Sequence, residues 1–389
     1  MKIIGESAFK TCIKLEEIKL PSCLKTISEN AFFGCKSLKS IRIPESVSEI
    51  GRGAFLHCIE LKEAVILTHG NIPDDCFHCC HNLKTVSIPF VTGRIGQCAF
   101  KNTGLKRIMI PSTVRTVDTM AFEETALEEI SIPEGIDTLG NSVFANCHQL
   151  RTLELTCSIP HMGTDIFANC ENLERVILPE EMDTIPEGMF ILCESLKEVH
   201  LPSTLKTIGR RSFAGCKSLP EITIPMSVDS IEGAAFVTCD SLETVIMNDI
   251  SFSVKELLHK NYMYDAFNVL YAVHACMKQH SLYHEEQKYT IWEYIFCQYL
   301  QRPEEKALEN YIHQHFEQMF QSLIISKNTE LIQEYLKREE FFTEENIQKF
   351  ILFANKKQAY EIQVMFSEYQ RKHFALKSIA ETIQSKFEL

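Results

Sequence analysis

Sixteen cysteines and fourteen histidines are the residues of this 389-residue chain best suited to chemistry. They crowd most closely in Cys76-Phe77-His78-Cys79-Cys80-His81, where thiolates and imidazoles could share a zinc ion. Cys76 and Cys80, however, fall on positions that a repeat turns inward, which leaves His78, Cys79 and His81 with no second C-x-x-C to complete a site. A second candidate is His280-Ser281-Leu282-Tyr283-His284-Glu285-Glu286, two imidazoles at helical i, i+4 spacing beside carboxylates. No third defined ligand accompanies that pair, so its expected place is a solvated helix end. His313 and His315 would point apart on a helix. There is no G-x-S-x-G elbow, no glycine-rich phosphate loop ahead of a helix and no H-E-x-x-H. The expectation is a chain with no catalytic residues, no metal and no cofactor. A hydrolase within residues 253–325 would rest on His280 and His284 alone.

Composition divides the chain. All fifteen Gly and twelve of the thirteen Pro precede residue 250, whereas all eleven Tyr and the single Trp292 follow it. Gly and Pro punctuate tight turns, and a Gly-free segment rich in Glu, Lys, Gln and Leu favours helices. Residues 1–250 are therefore read as one domain and 251–389 as a second, α-helical one, divided near Asn248–Ser253. The net charge of −13 is concentrated in the first, which holds 23 Lys and Arg against 33 Asp and Glu. Such an acidic body repels phosphate backbones and excludes nucleic acid as a natural partner. No run approaches the roughly eighteen apolar residues that would cross a bilayer, so no membrane insertion is expected. Met1-Lys2-Ile3-Ile4-Gly5-Glu6 lacks a secretory apolar stretch, which favours the cytoplasm, with the cell surface or secretion as the alternative.

The first domain repeats itself. Phe9, Phe32, Phe55, Phe77, Phe100, Phe122, Phe144, Phe167, Phe190, Phe213 and Phe236 recur every 22 or 23 residues. Eleven leucines, from Leu15 to Leu242, keep the same beat, each opening an L-x-x-I-x-I-P stretch such as Leu38-Lys39-Ser40-Ile41-Arg42-Ile43-Pro44. Alternation in I-x-I is the period of a strand with one buried face, and the Pro ends it. A second short alternation, as in Val47-Ser48-Glu49-Ile50, leads to Gly51 and then to Ala-Phe and an irregular or 3₁₀ arch. One such turn cannot bury its own apolar side; a stack of eleven can. Nine cysteines (Cys12, Cys35, Cys58, Cys80, Cys147, Cys170, Cys193, Cys216 and Cys239) lie three residues after a repeat Phe and are expected to form a reduced, buried column.

The unit resembles the BspA-like leucine-rich repeat, carried closely by Ala31-Phe32-Phe33-Gly34-Cys35-Lys36-Ser37-Leu38 and by Ser212-Phe213-Ala214-Gly215-Cys216-Lys217-Ser218-Leu219. The resemblance spans about residues 1–247 and implies a right-handed solenoid with binding or cell-surface roles. Leu67, Thr156 and Asn248 replace the repeat's Pro, so kinks are expected at turns three, seven and eleven. Turns five and six lose a residue between Phe and Leu and carry Thr103 and Thr125 in place of Cys.

Between the two apolar residues of each strand the middle position points outward. That row reads Lys19, Arg42, Val65, Ser87, Met109, Ser131, Glu154, Ile177, His200, Thr223 and Ile246. A face built only for solvation would be polar throughout. Val65, Met109, Ile177 and Ile246 break the row, and with Arg42, Glu154 and His200 they form the candidate contact set for a protein partner.

In the second domain, Phe267, Leu270, Tyr271, His274 and Met277 share a helical face, as do Ile291, Ile295 and Tyr299. Pro303 opens a helix from Glu304 to about Leu323, and Asn328 or Thr329 and then Thr343 begin the next two. Residues 326–374 are similar to ankyrin repeats, although the T-P-L-H signature is missing and Glu339 and Lys356 stand where turn glycines are usual. The combined reading is a non-enzymatic interaction scaffold, with a bacterial cell-surface adhesin as the alternative. The first turn, with only Ile3-Ile4 ahead of Gly5, shows no cap, so either self-association through that end or missing upstream sequence is a further expectation.

Overall fold

A computed structural model describes residues 1–91, 93–261, 263–279 and 285–374. Two compact units form. One comprises Met1–Met247 with Ser251–Glu256 and Asp265–Tyr271; the other comprises Asn248–Ile250, Leu257–Tyr264 and the chain from Ala272 onward.

The first unit is a solenoid of eleven turns, each contributing up to three backbone ladders. The I-x-I segments form a first set of parallel strands, as in Ser40–Ile43 beside Glu63–Ile66, where Ile41 and Ile43 are buried and Ser40 and Arg42 exposed. After the Pro, a second set runs parallel on another side, as in Thr26–Ile27 beside Glu49–Ile50. The third ladder is the arch. It is not 3₁₀ helix: two residues per turn, two before and two after the repeat Phe, take positive φ, as in Asn30 and Gly34 or Ser142 and Asn146. Alternate amides then point along the stack, so Asn30, Phe32 and Gly34 donate to the carbonyls of Arg52, Ala54 and Leu56 in the next turn. The same three-bond pattern joins every successive pair of turns from Phe9 to Phe236.

Inside, the Phe rings stack from Phe9 to Phe236 with centroids 5.0 Å (Phe9–Phe32) to 5.9 Å (Phe167–Phe190) apart, the spacing of offset aromatic pairs. Beside them the thiols do more than fill space. Cys35 donates to the Phe9 carbonyl, Cys58 to Phe32, Cys170 to Phe144 and Cys193 to Phe167, each across one turn at 3.1–3.3 Å. Where Thr replaces Cys, the hydroxyl of Thr103 or Thr125 instead serves the Phe carbonyl of its own turn. Cys12, in the first turn, is the exception to the expected column and is exposed.

Glycine is needed where one turn's backbone presses on the next. A Cβ built on Gly140 would lie 2.3 Å from the Thr119 amide nitrogen, whereas one on Gly233 meets nothing within 4 Å. Gly140→Ala is therefore expected to cost about 1–3 kcal/mol in urea unfolding. Gly233→Ala should stay within about 0.5 kcal/mol of the parent; equal effects would show that the close approach at Gly140 is not what holds it.

Beyond the solenoid turns the described chain is helical, with α1 (Val254–Leu257), α2 (Ala266–Met277), α3 (Glu285–Gln301), α4 (Lys306–Ser326), α5 (Thr329–Tyr335), α6 (Glu344–Lys356) and α7 (Tyr360–His373); most of α1 and the first half of α2 belong to the first unit, and α3 to α7 to the second. The helix after Pro303 starts two residues later than expected and runs to Ser326, where Lys327 closes it in a left-handed cap. Asn328 caps α5, and Thr343 with Asn346 forms a capping box on α6. Helices α3 to α7 close around Phe296, Phe316, Phe320, Tyr335, Phe350 and Phe366. Tyr271, expected inward, is exposed.

Candidate interaction face

The described residues gather no chemical centre. Cys76 and Cys80 are fully buried, His78 faces Asp75 at 3.3 Å, and His81 faces Asn102 at 3.2 Å. Among the described residues no three His, Cys, Asp or Glu are arranged to hold a metal ion. His280 and His284 lie outside the described residues.

The outward row is another matter. Lys19, Arg42, Ser87, Met109, Ser131, Glu154, His200 and Thr223 are exposed, and Val65, Ile177 and Ile246 are half-buried, so all eleven side chains occupy the outer side of the first ladder. Met109 is the extreme, 87% exposed. His200 sits 2.6 Å from Glu198, and that contact, followed by Arg175, holds the Glu198 carboxyl below its ordinary value.

The first ladder is not continuous. Strands pair through Ser40–Ile43, Glu63–Ile66 and Thr85–Ser87, then again from Thr152–Glu154 to Glu198–His200, and again from Glu221–Thr223 to the end. Turns five and six, residues 107–110 and 129–132, form no strand. These are the turns that lose a residue ahead of the strand, so their register no longer matches that of their neighbours. Two ion pairs, Lys106–Glu128 at 2.7 Å and Arg107–Glu129 at 3.2 Å, bridge them on the surface. The gap between turns nine and ten has a different cause. At most junctions the residue after the repeat Leu donates its amide to the preceding turn, as Lys62 does to Lys39 and Lys197 to Glu174. Pro220 occupies that position in turn ten and has no amide to give. Pro220 was legible in the sequence as a break in the ladder, and pattern reading passed over it.

The missing Pro residues act elsewhere. The second ladder is interrupted after Glu49–Ile50, at turn three, and after His161–Met162, at turn seven, the turns carrying Leu67 and Thr156. Grooves on the outer face follow the gaps in the first ladder. One of about 510 Å³ is lined by Val86, Arg107, Met109, Glu129, Ser131 and Pro133, and one of about 650 Å³ by Glu198, His200, Pro220, Glu221, Thr223 and Glu243. A third, about 570 Å³, lies over Lys19 and Arg42.

The model of the BspA type leucine-rich repeat region matches residues 2–126, 70–195, 116–243 and 183–262. The chain belongs to the BspA-type leucine-rich repeat family. A leucine-rich repeat protein from Bacteroides ovatus is 31% identical, with a TM-score of 0.53 over 63% of this chain and 70% of that one. A leucine rich cell surface protein from Faecalibacterium prausnitzii is also 31% identical, with a TM-score of 0.43 over 63% and 76%. No curated protein matches. Repeat proteins of this family are in general non-enzymatic. The family match ends at residue 262, and no family match supports the ankyrin likeness expected of residues 326–374, which are helical.

Proposed function

We propose that this BspA-type repeat protein is a non-enzymatic scaffold that binds a protein partner through the outer face of its first ladder. The observation that carries the reading is Met109, 87% exposed beside a groove in the middle of that face. An exposed thioether adapts to an irregular partner surface, and unpaired backbone at a ladder gap offers hydrogen bonds to a partner's main chain. Val65, Ile177 and Ile246 extend the apolar row, with Arg42, Glu154 and His200 as polar contacts between them. Residues 326–374, read as ankyrin-like helix pairs, would supply a second recognition surface.

Sixteen cysteines, of which Cys12, Cys23 and Cys297 are exposed, favour a reducing compartment over the adhesin reading. Met109→Glu combined with Ile177→Glu should remove most specific partners in quantitative affinity capture from the source cells, a loss of tenfold or more in recovery. The paired change should leave the melting curve within the effect of surface substitutions. Unchanged recovery of every partner would overturn the reading.

A further inference from the structure

Charge is sorted along the solenoid. Residues 1–115 hold 16 Lys and Arg against 10 Asp and Glu, whereas residues 116–250 hold 7 against 23. The contrast is sharpest in one column, the residue immediately after each repeat Leu. In turns six to nine that column alternates in sign, as Glu128, Arg151, Glu174 and Lys197, and Arg151 and Lys197 both pair with Glu174, at 3.5 and 3.2 Å. In turns two to five it reads Lys39, Lys62, Lys84 and Lys106. Backbone bonds make the first three direct neighbours: the Lys62 amide donates to the Lys39 carbonyl at 2.8 Å, and the Lys84 amide to the Lys62 carbonyl at 3.0 Å. Like charges on strands about 4.8 Å apart oppose folding. Glu16 relieves Lys39 and Glu128 relieves Lys106, but Lys62 and Lys84 are exposed and make no ion pair among the described residues. Lys19 and Arg42, on the outward row of the same turns, are also exposed and make none, while the acids left without an ion pair on this face of turns one to five are Glu17 and Glu63.

The alternation that neutralises the column in turns six to nine is thus absent in turns two to five, and the positive charge is left open to a partner. We propose that the first-ladder face of turns two to five docks an acidic, amphipathic helix of a partner protein, laid along the solenoid axis. This rests on the reading that the face is a docking surface, and names the chemistry of what docks there.

Three observations select that occupant. A helix advances about 5.4 Å per turn, so acids one helical turn apart stay within about 2 Å of the Lys spacing over three steps. Along an extended segment, side chains of one face are about 6.7 Å apart and fall roughly 4 Å out of register after two. The outward row with Val65 and Met109 lies three residues further along each turn, about 10 Å from the Lys column, which is the width of one helix. Acids of the helix then meet the Lys column, and its apolar stripe meets Val65 and Met109. Length is the third. Lys39 to Lys106 spans three steps, roughly 14 Å or about ten helical residues. A nucleic acid or a long polyanion would run past it onto Glu128 and Glu129, within about a Debye length of the last Lys.

The test is titration of the full reduced chain into a fluorescent, stapled helical peptide of about twelve residues that carries Glu along one face beside a stripe of Leu. A scrambled peptide of the same composition and a heparin fragment of the same charge are the comparisons. The stapled helix should bind about tenfold tighter than either, and its affinity should fall with salt. Lys62→Glu with Lys84→Glu should weaken it by about tenfold or more, and Lys62→Gln with Lys84→Gln by a smaller factor in the same direction. Lys25→Glu with Lys36→Glu removes as much positive charge from exposed positions beside the second ladder and on the arch, and should change binding by no more than about twofold. Melting curves of all three variants check that the fold survives. A stapled helix that does not bind overturns the proposal. So does heparin binding as tightly, which would make the column a general polyanion surface, and so does an equal loss from the Lys25 and Lys36 pair, which would trace binding to the overall field. The broader reading stands apart: partner capture lost with the Met109 and Ile177 substitutions, beside a stapled helix that fails to bind, would keep the docking surface and remove its acidic helix.

Discussion

Raising the pH of the reduced protein from 8 toward 10 is expected to unfold the solenoid cooperatively, because its interior holds thiols that cannot ionise in place. Burial pushes Cys147 up to about 11, partly offset by the Thr125 hydroxyl, and pushes Cys239 up to about 12. Burial also drives Cys76, Cys80, Cys170, Cys193 and Cys216 well above the ordinary thiol range. A thiol is neutral when protonated, so the folded chain keeps protons that the unfolded chain releases above about pH 8.5. The stability these groups contribute is complete below that value and falls as pH rises toward the folded values. Each thiol removes about 1.4 kcal/mol per pH unit, and seven together remove roughly 10. That is comparable with the whole stability of a typical domain, about 5–15 kcal/mol, so a midpoint between about pH 9 and 10.5 is expected. Circular dichroism under anaerobic reducing conditions reads the transition. Combining Cys170→Ala, Cys193→Ala and Cys216→Ala lowers stability at neutral pH, but should also cut the steepness of the pH dependence by about two fifths. A solenoid still folded at pH 11, or a slope unaffected by the triple change, would show that the thiols do not set the alkaline limit.

The sequence made the solenoid legible because its signal is periodic. Eleven Phe and eleven Leu at one spacing specify which residues stack, and Ile41, Ile43, Phe32 and Cys35 are buried where the pattern puts them. The outward row was legible for the same reason, since alternation in a strand fixes both faces at once. What the pattern could not convey was the backbone of the arch. Positive φ at residues as varied as Asn30, Met120, Leu192 and Ala234 is imposed by the ladder between turns and not by local preference. The gaps in the first ladder were half legible. The lost residue in turns five and six was visible, but its effect depends on how neighbouring turns align, which no single turn encodes. In the helical unit, caps such as Asn328 and Thr343 could be read locally. The left-handed stop at Lys327 could not, because neither Gly nor Asn marks it.

Phe122→Ala should cost the solenoid about 3–5 kcal/mol, as expected for emptying a fully buried aromatic site. Phe122 lies between Phe100 at 5.3 Å and Phe144 at 5.5 Å, so its removal opens the ring column in the middle of the stack. The position matters beyond the cavity. Turn six has no first-ladder strand, so its ties to turns five and seven are the arch bonds, the second ladder, the buried Phe, Leu and Ile columns, one backbone bond from the Glu128 amide to the Lys106 carbonyl and a few surface contacts. Phe167, one of the same ladder of rings, belongs to turn eight, whose strand Arg175–Ile177 is paired on both sides. The cavity should cost a similar amount at Phe167, but the consequence should differ. A repeat array stays cooperative only while coupling between neighbours exceeds the differences in their own stability. Phe122→Ala should therefore split unfolding into two phases, with amide protection lost first around residues 100–145. Phe167→Ala should keep one transition, and Phe90→Ala, at an exposed ring, should cost under about 1 kcal/mol. Hydrogen exchange at rising denaturant distinguishes the cases. Identical single transitions for Phe122→Ala and Phe167→Ala would show that the arch and the second ladder carry the coupling through turns five and six unaided.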